Sequence, residues 1–214
     1  STKLKKIMDN IENNKDGIIF IYSRFVWTGI VPLALALEYN GYNNANGNLL
    51  NVNDKVGKNK GNYIIISGDK DLSPSHVYSN YSEHESSNKD GSKVKIILGS
   101  ESAAEGLDFK YIREVHIMDP WHHLNKLEQV IGRGIRYCSH IELPMKQRNV
   151  TIFMYATVKE DTRKETVDLK IYRDAENKDR YMAGVEYLLK INAVDCHLNI
   201  HNNKFINAPF NKKF

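Results

Sequence analysis

Five short runs rich in β-branched and aromatic residues most constrain what this chain can fold into. They are Ile18-Ile19-Phe20-Ile21-Tyr22, Tyr63-Ile64-Ile65-Ile66, Val94-Lys95-Ile96-Ile97-Leu98, Glu114-Val115-His116-Ile117-Met118 and the stretch 149–156. The first is apolar throughout, as in a strand buried on both faces. Stretches long enough for helices lie between the runs. Residues 30–39 carry Pro32 in their first turn and stop at Gly41; about 73–85 open on Ser73-Pro74; about 124–135 follow the fourth run. Strands alternating with helices predict an α/β fold, a parallel sheet with helices on both faces. Such sheets gather function at the carboxyl ends of their strands. Ser23-Arg24, Ser67-Gly68-Asp69, Gly99-Ser100-Glu101 and Asp119-Pro120 occupy those places.

Other segments are read by composition. Residues 4–12 predict a short helix before the first strand. Residues 40–62 are rich in Asn, Gly and Lys, with little to bury, and predict a surface insertion without regular structure. From residue 161, Val167, Ile171, Ala175, Met182, Val185 and Leu189 recur at helical spacing, one face of a long helix to about residue 193. A polar tail with Pro209 follows. The expected division is a lobe over 1–157 and a helical extension with its tail over 158–214, within what 214 residues can support.

Function classes narrow on similar grounds. No run of about 18 apolar residues is present to span a membrane. The basic start Ser1 to Lys6 lacks the apolar stretch of a signal peptide, so an intracellular protein is expected. Opening on Ser1 rather than Met is expected of an excised fragment or of a tag remnant. Cys138 and Cys196 stand apart, with no partner at zinc-binding spacing, so neither a disulfide nor a metal is expected. Adjacent His122 and His123 do not readily face one metal, and Trp121 beside them is expected to pack in the core. The net charge of +4 permits a polyanionic partner without demanding one.

The strongest chemical signal is Gln129-Val130-Ile131-Gly132-Arg133-Gly134-Ile135-Arg136. Two arginines three apart are expected on one side of a helical turn. Arginine is always charged and forked for phosphate oxygens, which suits the charge that develops on a transferring γ-phosphate. Glycine is costly inside a helix, so Gly132 and Gly134 suggest close approach by a nucleotide or a facing lobe. Upstream, Gly99 to Phe109 follows a buried strand. Its small residues permit a tight turn in which backbone N–H groups and the Ser100 hydroxyl can hold phosphate. Asp108 is a candidate to accept from a ribose or to orient an arginine. Plainer readings stand beside these: a surface ion pair for the arginines, an Asx-capped turn for Gly106 and Asp108, a helix N-cap for Ser100, and a solvated loop for Ser23 and Arg24.

Together these segments resemble superfamily 2 helicases. Gln129, Gly132, Arg133 and Arg136 match motif VI, of form QxxGRxxR. Ser100 to Asp108 resembles motif V, a small-residue turn ending in G-x-D, and Ile18 to Phe25 looks like motif IV. The resemblance covers about residues 15–157 in order. Asp119-Pro120-Trp121-His122-His123, Arg136 to His140 and the extension from Val167 to Asn199 are similar to the large-DNA-virus branch. That branch includes the poxvirus-type early transcription factor small subunit and nucleoside triphosphate phosphohydrolase.

The resemblance implies a RecA-like second lobe with a C-terminal helical extension. It implies Arg136 as arginine finger and Arg133 as a second γ-phosphate contact. Gly106, Asp108 and Gln129 would serve the nucleotide; Ser23, Arg24 and Ser100 would serve nucleic acid. ATP and Mg2+ would be held mainly by an N-terminal RecA-like lobe of the same polypeptide. The phosphate loop and acidic segment of such a lobe are missing here, since Gly57 to Gly61 lacks the spacing, so this chain alone should be inactive. Implied partners are that lobe, DNA or RNA, and transcription-complex subunits such as RNA polymerase. The implied setting is viral transcription or replication, in a cytoplasmic factory or the virion. Glu105 stands where some relatives carry arginine, so no charge contact is carried over there. Two other readings remain: a transcription or termination ATPase that does not separate strands, and a non-catalytic binding module.

Overall fold

The computed structural model describes residues 1–14, 17–50, 59–101, 107–159 and 165–194. Six strands build one sheet: β1 (Ile18–Tyr22), β2 (Tyr42–Asn44), β3 (Gly61–Ile66), β4 (Ile96–Gly99), β5 (Ile112–Ile117) and β6 (Thr151–Met154). Their order is β2-β3-β4-β1-β5-β6, and every neighbouring pair is parallel. The helices are α1 (Thr2–Asn13), α2 (Val31–Tyr39), α3 (His76–Glu83), α4 (Leu124–Gly134) and α5 (Val167–Ile191).

Alternation along the central strand assigns the helices to faces. Ile18, Phe20 and Tyr22 of β1 join Ile97, Val115 and Ile117 in a core capped by Val77 and Tyr81 of α3 and Leu127 and Val130 of α4. Ile19 and Ile21 point the other way, packing with Ile96 and Leu98 under Ile7 and Ile11 of α1 and Leu33 and Leu37 of α2. Each fully buried aliphatic side chain contributes about 1.5–3 kcal/mol, so a strand buried at all five positions anchors both cores at once. The parallel sheet with helices on both faces is therefore as expected.

The insertion expected over 40–62 needs correcting at both ends. Tyr42–Asn44 forms the edge strand β2, and Gly61 already belongs to β3. Tyr42 packs into the α1/α2 core. A buried carboxylate, Glu38 of α2, holds the chain beyond β2. It accepts hydrogen bonds from the Leu49 and Leu50 amides (2.8 and 2.6 Å) and from the Tyr63 hydroxyl (2.7 Å). Burial, then the neighbouring Glu38, pushes the Tyr63 hydroxyl far above its ordinary pKa. Composition hid β2 because an edge strand pairs through its backbone and needs few apolar side chains. Residues 51–58 lie outside the described residues.

The first half of α5 is bound to the lobe. Asp168 accepts from Lys3 Nζ and from the Thr157 amide, each at 2.8 Å, and Ala175 is fully buried. Beyond it the helix diverges from expectation. Met182, Val185 and Leu189, read as one apolar face, are all exposed, as are Tyr181 and Leu188. No helix among the described residues is long and apolar enough to cross a membrane.

Candidate functional site

The strand exits converge as parallel pairing requires. The Ser23 amide donates to Gly99 O (3.1 Å), the Ser100 amide to Ile66 O (3.0 Å) and the Met118 amide to Tyr22 O (2.9 Å). Ser23 is fully buried and its hydroxyl donates to Asp119 Oδ2 at 2.6 Å, tying the exit of β1 to that of β5. Ser23 Oγ also accepts from the Phe25 amide at 3.2 Å. Arg24 turns outward, its guanidinium 4.3 Å from the centre of the Trp121 ring and 5.5 Å from that of Phe25. A single π-helical turn, Val26–Ile30, then leads into α2. Gly29 is obligatory there, since a Cβ would lie 2.0 Å from Ser23 Oγ. Ser100 is buried behind these exits at 3% exposure.

The arginine-bearing segment lies elsewhere. α4 starts beyond the exit of β5 and runs back along the sheet, so Arg133, nine residues after Leu124, sits ~14 Å down its axis. Gly134 rests on β5, where a Cβ would come within 2.7 Å of Val115 Cγ2. The reason expected for this glycine, approach by a nucleotide or a facing lobe, is thus replaced by packing on β5. Gly132 faces open space, and Gln129 is exposed one turn earlier.

The helical pairing of the two arginines is also corrected. α4 ends at Gly134, and Ile135 leaves the helix with φ −122°, so Arg136 lies in the turn beyond. A single extended segment unites the two instead. Arg133 Nη1 donates to Leu107 O (3.1 Å), and Arg136 Nη1 donates to Asp108 Oδ2 (2.8 Å). Tyr78 of α3 grips Asp108 from behind, its hydroxyl accepting from the Asp108 amide (3.0 Å) and donating to the Asp108 carbonyl (2.9 Å). Two residues on, the Lys110 amide donates to Glu85 Oε1 at 2.6 Å. Burial raises the Glu85 carboxyl above its usual range, against the pull of that amide and the Lys110 ammonium. Past Arg136, the residues Tyr137, Cys138, His140, Ile141 and Arg148 complete an open cavity of about 280 Å³. Gly106 lies outside the described residues.

Comparison with known proteins bears on this arrangement. The helicase conserved C-terminal domain family matches residues 48–138, the span that includes Asp108, Arg133 and Arg136. A protein of Acanthamoeba polyphaga mimivirus named as an ATP-dependent RNA helicase is 35% identical over 202 residues, covering 92% of this chain and 33% of that protein. Residues 48–138 of this chain are a helicase conserved C-terminal domain.

Other relatives of this helicase lobe come from large DNA viruses. One from Invertebrate iridescent virus 3, named as a helicase, is 30% identical over 220 residues, covering 98% of the chain and 22% of that protein. A termination factor NPH-I homolog of African swine fever virus is 27% identical over 248 residues, covering 99% of the chain and 35% of that protein. The lobe therefore spans about a third or less of the length of these relatives. A solved structure, the C-terminal part of the Fun30 ATPase domain, shares the fold with TM-score 0.54 and 18% identity, over 81% of this chain and 44% of that one.

The helicase lobe thus holds its candidate residues in two places. Ser23, Arg24 and Ser100 cluster at the strand exits; Asp108, Arg133 and Arg136 cluster where segment 107–110 passes α3 and α4. Sequence reasoning missed Tyr78, Glu85 and Asp119 as supports. Asp119 was visible as a strand-exit residue, but no local signal marks Tyr78 or Glu85, whose partners lie 30 and 25 residues away. Trp121, expected in the core, packs against it while only part-buried, and carries Arg24.

Proposed function

We propose that this chain is the second motor lobe, over 1–157, of an ATP-dependent and nucleic-acid-dependent helicase or translocase, with 158–214 as a helical extension. The observation that carries this reading is the convergence of Arg133 and Arg136 on residues 107–108. The Arg136 guanidinium carries further N–H donors besides the one bonded to Asp108. Arg136 is about half exposed and can exchange Asp108 for an incoming phosphate. In this reading Arg136 is the arginine finger and Arg133 a second γ-phosphate contact, while Asp108, Gln129 and Gly106 serve the nucleotide.

ATP would supply the phosphoryl group whose transfer releases energy, and this lobe's part is to present cations to it. Among the described residues no group of three or more His, Cys, Asp or Glu is placed to hold a metal ion. The resemblance to superfamily 2 helicases supports placing the ligands of Mg2+ in an N-terminal lobe of the same polypeptide. Nucleic acid would follow the strand exits, with Arg24 on phosphate. Ser23 and Ser100, being buried, would shape the exits through their hydrogen bonds.

The African swine fever virus relative's name, a termination factor, favours a second reading, a termination ATPase. In that reading the protein would meet RNA polymerase and would not separate strands. Viral transcription or replication, in a cytoplasmic factory or virion, is the proposed setting.

The test is ATP hydrolysis by the full-length parent with duplex DNA, single-stranded DNA or RNA, beside Arg136→Ala. Stimulated turnover lost in the variant supports the motor lobe, and strand separation then divides the two readings. Turnover unaffected by Arg136→Ala overturns the assignment.

A further inference from the structure

We infer that the exit of β1 carries a base-stacking platform for unpaired nucleic acid, built from Trp27, Phe25 and the Arg24 guanidinium. The inference deepens the proposed nucleic-acid track and rests on it. Trp27 is 66% exposed and Phe25 49%, a large aromatic area to leave in water. The segment showing it is held rigidly. Ser23 is locked to Asp119 at 2.6 Å, and Gly29 lies so close beneath Ser23 that no Cβ fits. The turn between them is π-helical, a rare geometry that is frequent at functional sites. Arg24 is already stacked on Trp121, so its orientation is fixed before any ligand arrives.

The chemistry of this surface selects its occupant. From residue 24 to 28 the exposed side chains are Arg24, Phe25, Trp27 and Thr28, with neither an exposed aliphatic nor a carboxylate among them. Aromatic faces accept any base, and a guanidinium takes the phosphate beside it. The far half of α5 is the contrast, exposing Val185, Leu188 and Leu189. A duplex hides the faces of its bases within the stack, so the platform discriminates for single strands.

The chain has two tryptophans, so Trp121→Phe leaves Trp27 as sole reporter and keeps an aromatic ring under Arg24. Titration with an oligothymidylate of about 12 nucleotides should quench Trp27 fluorescence. In anisotropy with the labelled strand, Trp27→Ala should weaken binding roughly tenfold and Trp27→Phe by no more than about threefold. An abasic strand of equal length should also bind roughly tenfold more weakly. Trp27 is exposed, so the melting temperature of Trp27→Ala should match that of the parent chain. An abasic or duplex ligand that binds as tightly, with Trp27 unquenched, overturns the platform and leaves the phosphate-led track standing. Absence of binding by any oligonucleotide to the folded chain overturns both and points to a protein on this face.

Discussion

The Arg136 guanidinium is bonded at 2.8 Å to the carboxylate of Asp108, a residue whose own amide and carbonyl are both gripped by the Tyr78 hydroxyl. The candidate finger is thus held on a braced acid rather than left free in solvent. Both side chains are about half exposed, where such a pair contributes under about 1 kcal/mol. Asp108→Asn should therefore leave the thermal midpoint of the chain nearly unchanged. In the full-length parent, Arg136→Ala should lower kcat for ATP hydrolysis by about 10³-fold or more. An equal loss of stability and activity in Asp108→Asn would contradict a positioning role.

Gly132 and Gly134 should respond oppositely to alanine. Gly132 faces open space inside a helix, so Gly132→Ala should stabilise the chain by about 0.5–1 kcal/mol. Gly134→Ala drives a methyl to 2.7 Å from Val115 and 3.1 Å from Ile112, and should destabilise by about 1–3 kcal/mol. Urea unfolding of the two variants measures both signs.

Glu38 joins three donors inside the α2/β3 contact. Glu38→Ala leaves the buried Tyr63 hydroxyl without its acceptor and frees the Leu49 and Leu50 amides. A loss of about 2–4 kcal/mol is expected, with faster proteolysis around residues 45–50. Unchanged proteolysis there would show that the carboxylate does not anchor the loop.

Asp168 makes a pH-dependent clasp between α1, α5 and the Thr157 amide. Its partial burial acts to raise the carboxyl, but the Lys3 ammonium and the Thr157 amide outweigh it and hold the carboxyl below its usual value. Because the folded state favours the ionised form, this stabilisation is present above the unfolded pKa and is lost as pH falls through the folded one. Asp168→Asn should melt lower than the parent at about pH 7, and the difference should shrink as pH falls below about 4.

The sequence by itself determined the layers. The run Ile18 to Tyr22 could be buried on both sides only in a parallel sheet covered by two sets of helices, and helical periodicity placed α1, α2 and α4 to within a residue or two. It also singled out Arg133, Arg136 and Asp108, because a motif is a local spacing that any reader of the chain can see. Tertiary structure alone decided how those residues meet. The two arginines converge through segment 107–108 and not through a shared helical turn, since α4 ends at Gly134 where the helix must lie against Val115. β2 stayed hidden because edge pairing is a backbone property, and Tyr78 and Glu85 because their partners lie 30 and 25 residues along the chain. Hydrogen bonds across that distance depend on where the sheet and α3 place the backbone, which no local pattern encodes.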